Sequence, residues 1–168
     1  MPRHLIPADR LQPALLDRLI DDHAGQSGPT RHVRIMTRNE LRQAVLRDLS
    51  WLFNVTNLES SVAMPGMPLT QRSVVNFGLP ALAGQTASTV EVADLERAIR
   101  KAITTFEPRI LADSLDVRAV SELAGMDHHN VIGIEIRGQL WAQPVPLELL
   151  LRTEVDLETG KVEVSEVK

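Results

Sequence analysis

The chain has 168 residues, 43% of them hydrophobic, which is enough for one domain with its own core and gives no reason to divide it. A formal net charge of -4 removes any bulk electrostatic drive toward nucleic acid or an anionic membrane, and the absence of cysteine excludes disulfides and thiolate chemistry. No apolar run approaches the roughly 18 residues of a membrane span, and the start, with prolines at positions 2 and 7, has no apolar core of signal length, so the expectation is a cytoplasmic protein.

Pro13 suits the first position of a helix, after which Leu15, Leu16, Leu19 and Ile20 fall on one stripe that ends near Gly25. Gly25-Gln26-Ser27-Gly28-Pro29-Thr30 then reads as a flexible spacer, so residues 1–30 form an extension with a short amphipathic helix and residues 31–168 the domain. That helix can dock on its own domain or on another protein.

A second helix opens at a capping box, Thr37 with Glu40, in which each side chain satisfies an orphan amide. Its apolar stripe is Leu41, Val45, Leu49, Leu52 and Phe53, with Trp51 at the edge and Arg42, Arg47 and Asp48 off it. Burying each large member is worth about 1.5 to 3 kcal/mol before entropy, so this is a core helix. Residues 54–70 include Met64-Pro65-Gly66-Met67-Pro68 and make a longer connection than compact domains use, expected to be mobile or held by a partner. A helical turn from Arg72 to Phe77 is closed by Gly78 at the left-handed cap position, with Pro80 beyond it. The third helix is expected to start at a second capping box, Ser88 with Glu91, and to bury Val92, Leu95, Ile99, Ala102, Ile103 and Phe106. Arg97, Arg100 and Lys101 gather toward its C-terminal half, where cations complement the helix dipole.

The third helix runs into Phe106-Glu107-Pro108-Arg109. Proline disfavours helical backbone in the residue before it and donates no amide, so Glu107 belongs at or beyond the helix end. Extended backbone through Pro108 turns Glu107 and Arg109 to one side, a paired acid and base that can lock a corner or grip a partner.

After this junction the hydrophobic period changes from 3.6 to 2. Leu115, Val117 and Ala119, then Ile132, Ile134 and Ile136, then Leu147, Leu149, Leu151, Thr153 and Val155 alternate with more polar neighbours, as half-buried strands do. Gly160 stands where a hairpin turn needs positive φ, and Val162 and Val164 resume the alternation. The fold class is therefore α+β, with N-terminal helices packed on one face of a three- to four-stranded, mostly antiparallel C-terminal sheet.

Little in the chain supports catalysis. A glycosidase needs two carboxylates flanking a sugar, and Glu107 with Glu135 is the candidate pair, although an acid in an alternating strand faces solvent by default. His128 and His129 are adjacent and point apart in extended structure, and His4, His23 and His32 lack ligand spacing, so no metal site is expected. Nucleophile elbow, phosphate loop and dinucleotide fingerprint are all missing, and no cofactor is expected. With no tyrosine, two tryptophans and three phenylalanines, a stacking platform for single strands is lacking too. Binding remains, and an open strand edge near the C-terminus would recruit another protein's strand with little sequence signature.

Several stretches together resemble a known family. Leu15-Leu16-Asp17-Arg18-Leu19 with Asp21-Asp22, the run from Leu41-Arg42-Gln43 to Leu52-Phe53-Asn54, Ser73-Val74-Val75-Asn76-Phe77-Gly78-Leu79-Pro80 and Ile134-Glu135-Ile136-Arg137-Gly138-Gln139-Leu140 are similar, in order and spacing, to the TssE family of type VI secretion baseplate subunits. Phe106-Glu107-Pro108-Arg109 corresponds to that family's Glu-Pro-Arg signature, while Ser50 and Phe53 depart from its usual acidic residue and leucine. TssE is grouped with contractile-tail baseplate wedge proteins under the inherited label gene-25-like lysozyme. The resemblance implies a sheath-like fold and a non-enzymatic subunit of the cytoplasmic baseplate, on the inner face of the inner membrane, that meets TssF, TssG and TssK and starts polymerisation of the TssB and TssC sheath. Glu107, Pro108 and Arg109 would be the baseplate corner, and Leu147, Leu149, Leu151, Thr153 and Val155 the strand that pairs with the sheath. A peptidoglycan glycosidase and a phage-derived tail component are the alternatives.

Overall fold

The computed structural model of the protein describes residues 11, 13–19, 36–84, 91–120, 130–142 and 145–167. The expected spacer, Ile20, Ser88, His128 and His129 lie outside the described residues, as do His4, His23 and His32. Among the described residues there are four α-helices, α1 (Leu15–Leu19), α2 (Arg38–Phe53), α3 (Pro68–Gln71) and α4 (Val92–Phe106), together with four strands, β1 (Asp116–Val120), β2 (Val131–Leu140), β3 (Leu147–Asp156) and β4 (Val162–Glu166). Among the described residues no helix is long and apolar enough to cross a membrane.

The α+β reading holds. The strands form one fully antiparallel sheet in the order β1-β2-β3-β4, an up-and-down meander. Alternation sorts its two faces: Ile132, Ile134, Ile136, Leu149, Leu151 and Val155 are buried, whereas Arg137, Glu148, Arg152 and Glu154 face solvent. The buried face meets the apolar stripes of two helices, with α2 along β4 and α4 along β1. Leu41, Val45, Leu49, Leu52 and Phe53 of α2, and Leu95, Ile99, Ala102 and Ile103 of α4, join the same core.

The Thr37–Glu40 capping box forms as expected, with Glu40 N–H donating to Thr37 Oγ1 at 3.2 Å and Thr37 N–H to Glu40 Oε2 at 2.6 Å. Helix α4 differs. Its N-cap is Glu91 itself, with no side-chain hydrogen bond, so Glu91 cannot be the third helical residue of a box opened by Ser88; Val92 is exposed and the buried stripe starts at Leu95. Pro13 is buried two residues before α1 rather than being its first residue, and the apolar stripe of α1 is turned outward, Leu15 and Leu19 being 72% and 73% exposed.

The long connection after α2 is ordered by side-chain bonds that composition hides. Asn57 caps a 3₁₀ turn at Leu58–Ser60, accepting from Ser60 N–H at 3.0 Å. Buried Asn76 accepts from Glu59 N–H at 2.8 Å and donates to Gln71 O at 3.0 Å. The strand-like pieces around Val55 and Leu79 close the loop through Leu79 N–H to Val55 O at 2.9 Å and Asn57 N–H to Leu79 O at 2.8 Å. Gly78 sits at their crossing with φ of 127°, and a Cβ there would lie 2.2 Å from Val55 O. The glycine closes the 3₁₀ turn at Val74–Asn76 as expected, and the close approach demands it as much as the dihedral does.

Candidate functional site

Two features stand apart from the core, a charged corner where α4 ends and the free edges of the sheet. At the corner Glu107 is the C-cap of α4, as Pro108 dictates, and its N–H donates to Ile103 O at 2.8 Å. The chain then turns, with Ile110 N–H donating to Glu107 O at 3.1 Å. The main chain of Arg109 is also engaged, because Trp141 N–H donates to Arg109 O at 2.7 Å just past the end of β2.

Glu107 and Arg109 do face each other, but inward. The Glu107 side chain is 4% exposed and both its oxygens are occupied: Oε1 accepts from Arg109 Nε at 2.6 Å and from Arg109 N–H at 3.2 Å, and Oε2 accepts from Nη2. Arg109 Nη2 also reaches Asp48 Oδ2 at 2.6 Å, and Asp48 Oδ1 receives Arg47 Nε at 2.9 Å. Arg47 in turn donates through Nη1 to Asp17 Oδ1 at 2.6 Å and lies 5.0 Å over the Trp51 ring. The result is an alternating chain, Asp17, Arg47, Asp48, Arg109, Glu107, that joins α1, α2 and the end of α4. Desolvation opposes the charge of Arg109, yet the hydrogen bonds and charge of Glu107, with Asp48, outweigh it and raise its pKa above the ordinary value. Arg47 is raised as well, chiefly by its hydrogen bond to Asp17.

A cleft of about 570 Å³ opens beside this chain, lined by Leu16, Leu49, Trp51, Leu52, Phe77 and Phe106 together with Ala14, Pro108, Asp48, Glu107 and Arg109. Phe77 and Phe106 meet edge to face, 5.3 Å between centroids. Sequence reasoning found Glu107, Pro108 and Arg109 but not Asp17, Arg47 and Asp48; the available signal was the adjacent Arg47-Asp48 pair lying off the apolar stripe of its helix. Glu135 takes no part. It pairs with Arg137 at 2.6 Å on the solvent face of β2, away from the helices that surround Glu107, so the structure does not bring the two carboxylates together. Among the described residues no group of three or more His, Asp or Glu is placed to hold a metal.

The strand expected to offer a free edge does not. β3 is an inner strand, paired with β2 along its whole length and with β4 from Leu151 to Val155. Leu147, Leu149, Leu151, Thr153 and Val155 are all buried under the helices. A hairpin at Gly160 folds β4 back onto β3, which moves the outer edge one strand further along. The other outer strand, β1, is covered from α4: Glu96 Oε1 accepts from Ala119 N–H at 2.7 Å, and Arg100 Nη1 donates to Leu115 O. The outer edge of β4 is the other end of the sheet, and among the described residues no strand pairs with it.

A family model described as Baseplate wedge protein gp25 matches residues 39–145, which takes in α2, the charged corner and β2 and stops short of β3. No curated protein and no solved structure matches the chain.

Proposed function

Because the chain belongs to the baseplate wedge protein gp25 family, we propose that it is a structural subunit of a type VI secretion baseplate that starts assembly of the contractile sheath by strand addition. Its partners on this reading are TssF, TssG and TssK in the baseplate and TssB and TssC in the sheath, all on the cytoplasmic side of the inner membrane. The observation that carries it is a contrast between the two outer strands among the described residues: on β1 Glu96 and Arg100 of α4 take main-chain groups at Ala119 and Leu115, whereas on β4 Asn54 of α2 takes those of Val162 and leaves the outward groups of Val164 and Glu166 for an added strand. Main-chain hydrogen bonds along such an edge supply affinity without a catalytic constellation.

The reading is non-enzymatic. Glu107 has both oxygens engaged by Arg109, and Glu135 stands on the opposite face of the sheet, so the two acids do not flank a common substrate. Co-purification with the cognate TssF and TssG, comparing the full chain with one lacking the residues before Thr30, tests the assignment: recovery of both proteins with the full chain is expected. Digestion of purified cell wall that disappears in Glu107→Gln would overturn it in favour of a glycosidase.

A further inference from the structure

The outer edge of β4 is not uniform. Asp156 N–H donates to Lys161 O at 2.9 Å and Val167 N–H to Leu150 O at 3.0 Å, so by the alternation of an antiparallel ladder residues 161, 163, 165 and 167 bond toward β3. The main-chain groups of Val162, Val164 and Glu166 therefore point outward. Those of Val162 are already taken. Its N–H donates to Asn54 Oδ1 at 3.0 Å, and its carbonyl accepts from Asn54 Nδ2 at 2.8 Å. A carboxamide sets an acceptor oxygen beside an NH2 donor, the same acceptor–donor pair that a residue of a neighbouring strand would present. Asn54 is the C-cap of α2, and Nδ2 also donates to Ser50 O at 2.8 Å, which fixes the amide on the helix end. At the far end of β4, Arg42 of the same helix donates to Glu148 O at 3.0 Å and lies 3.6 Å from the Glu166 carboxylate.

We propose that Asn54 is the register stop of this edge: it occupies the place of a pairing residue at Val162, so that an incoming strand of a sheath subunit bonds to Val164 and Glu166 and can start no earlier. The inference rests on the proposed function and adds to it where the partner strand begins. Register in a sheet is otherwise weakly specified when only backbone groups are matched, and a slip of one residue would turn every side chain of the added strand to the wrong face. A fixed plug at one end removes that freedom.

The test is hydrogen–deuterium exchange of the full chain, read amide by amide, with and without the purified cognate sheath subunit. In the free protein the Val162 amide should exchange slowly and those of Val164 and Glu166 fast. Binding should slow Val164 and Glu166 at least tenfold and leave Val162 unchanged. In Asn54→Ala the Val162 amide should exchange at least tenfold faster in the free chain and become protected in the complex, as pairing extends past the missing plug; Asn54→Ser serves if the alanine variant does not fold. A Val162 amide in the variant that the complex leaves unprotected overturns the register stop alone, whereas a complex that forms without protecting Val164 and Glu166 overturns strand addition at β4 and the register stop with it. Absence of any complex overturns the sheath-initiation reading and this inference with it.

Discussion

Arg109 is held between two carboxylates of unequal exposure, Glu107 with 4% of its side chain accessible and Asp48 with 24%. The difference decides what its loss costs. An exposed pair contributes about 0.2 to 1 kcal/mol, whereas removing one partner of a buried pair leaves a charge without compensation at about 3 to 5 kcal/mol. Arg109→Ala is therefore expected to lower the urea unfolding free energy by about 3 to 5 kcal/mol, and the double variant Glu107→Leu with Arg109→Leu by less, since no charge is then stranded. A loss below about 1 kcal/mol in the single variant would mean that the pair acts as an exposed one. The buried hydroxyl of Thr153 runs the other way. It is wholly inaccessible on β3, between Ile134 and Val164, and its Oγ1 has no hydrogen-bond partner among the described residues. Replacing it by valine removes an unsatisfied polar atom at nearly constant shape, and Thr153→Val should gain about 1 kcal/mol, measured as a higher denaturation midpoint at unchanged slope.

Among the elements, those built from local rules were legible and those built from distant side chains were not. The Thr37–Glu40 box, the stripes of α2 and α4, the end of α4 before Pro108 and the period-2 strands all follow from residues a few positions apart. The inner position of β3 was missed, because alternation says which face a residue takes and nothing of which strand borders solvent; the signal available was the hairpin at Gly160, which places β4 beside β3. The loop after α2 was opaque, since Asn57 and Asn76 read as loop polarity until their acceptors are known, and so was the link from Asp48 to Arg109 across 61 positions. Gly78 tests whether that loop is an integral element. An alanine there would strain φ of 127° and drive Cβ against Val55 O, and a cost on the order of 3 kcal/mol is expected, while Gly66→Ala, with φ of 73° and open space around it, should cost about 1 kcal/mol. Equal effects of the two in thermal unfolding would show that backbone dihedral alone matters at Gly78.

Across the whole molecule the charged corner and the outer edge of the sheet share α2, which gives Arg47 and Asp48 to the first and Asn54 to the second, but the outward main-chain groups of Val164 and Glu166 belong to β4 alone. The two can therefore be disabled separately, which a single-surface adaptor would not allow. Val164 has an outward N–H that bonds to neither β3 nor Asn54, so Val164→Pro removes a donor from the edge without breaking the ladder, whereas Ser165→Pro deletes a bond to β3. On the proposed function, Val164→Pro should remain folded, co-purify with TssF and TssG at parental yield and fail to nucleate fluorescently labelled sheath in cells. Ser165→Pro should fail in all three respects. Sheaths of normal number and length in the Val164→Pro strain would remove strand addition at β4 from the mechanism, and loss of TssF and TssG along with the sheath would mean that baseplate and sheath read the same surface.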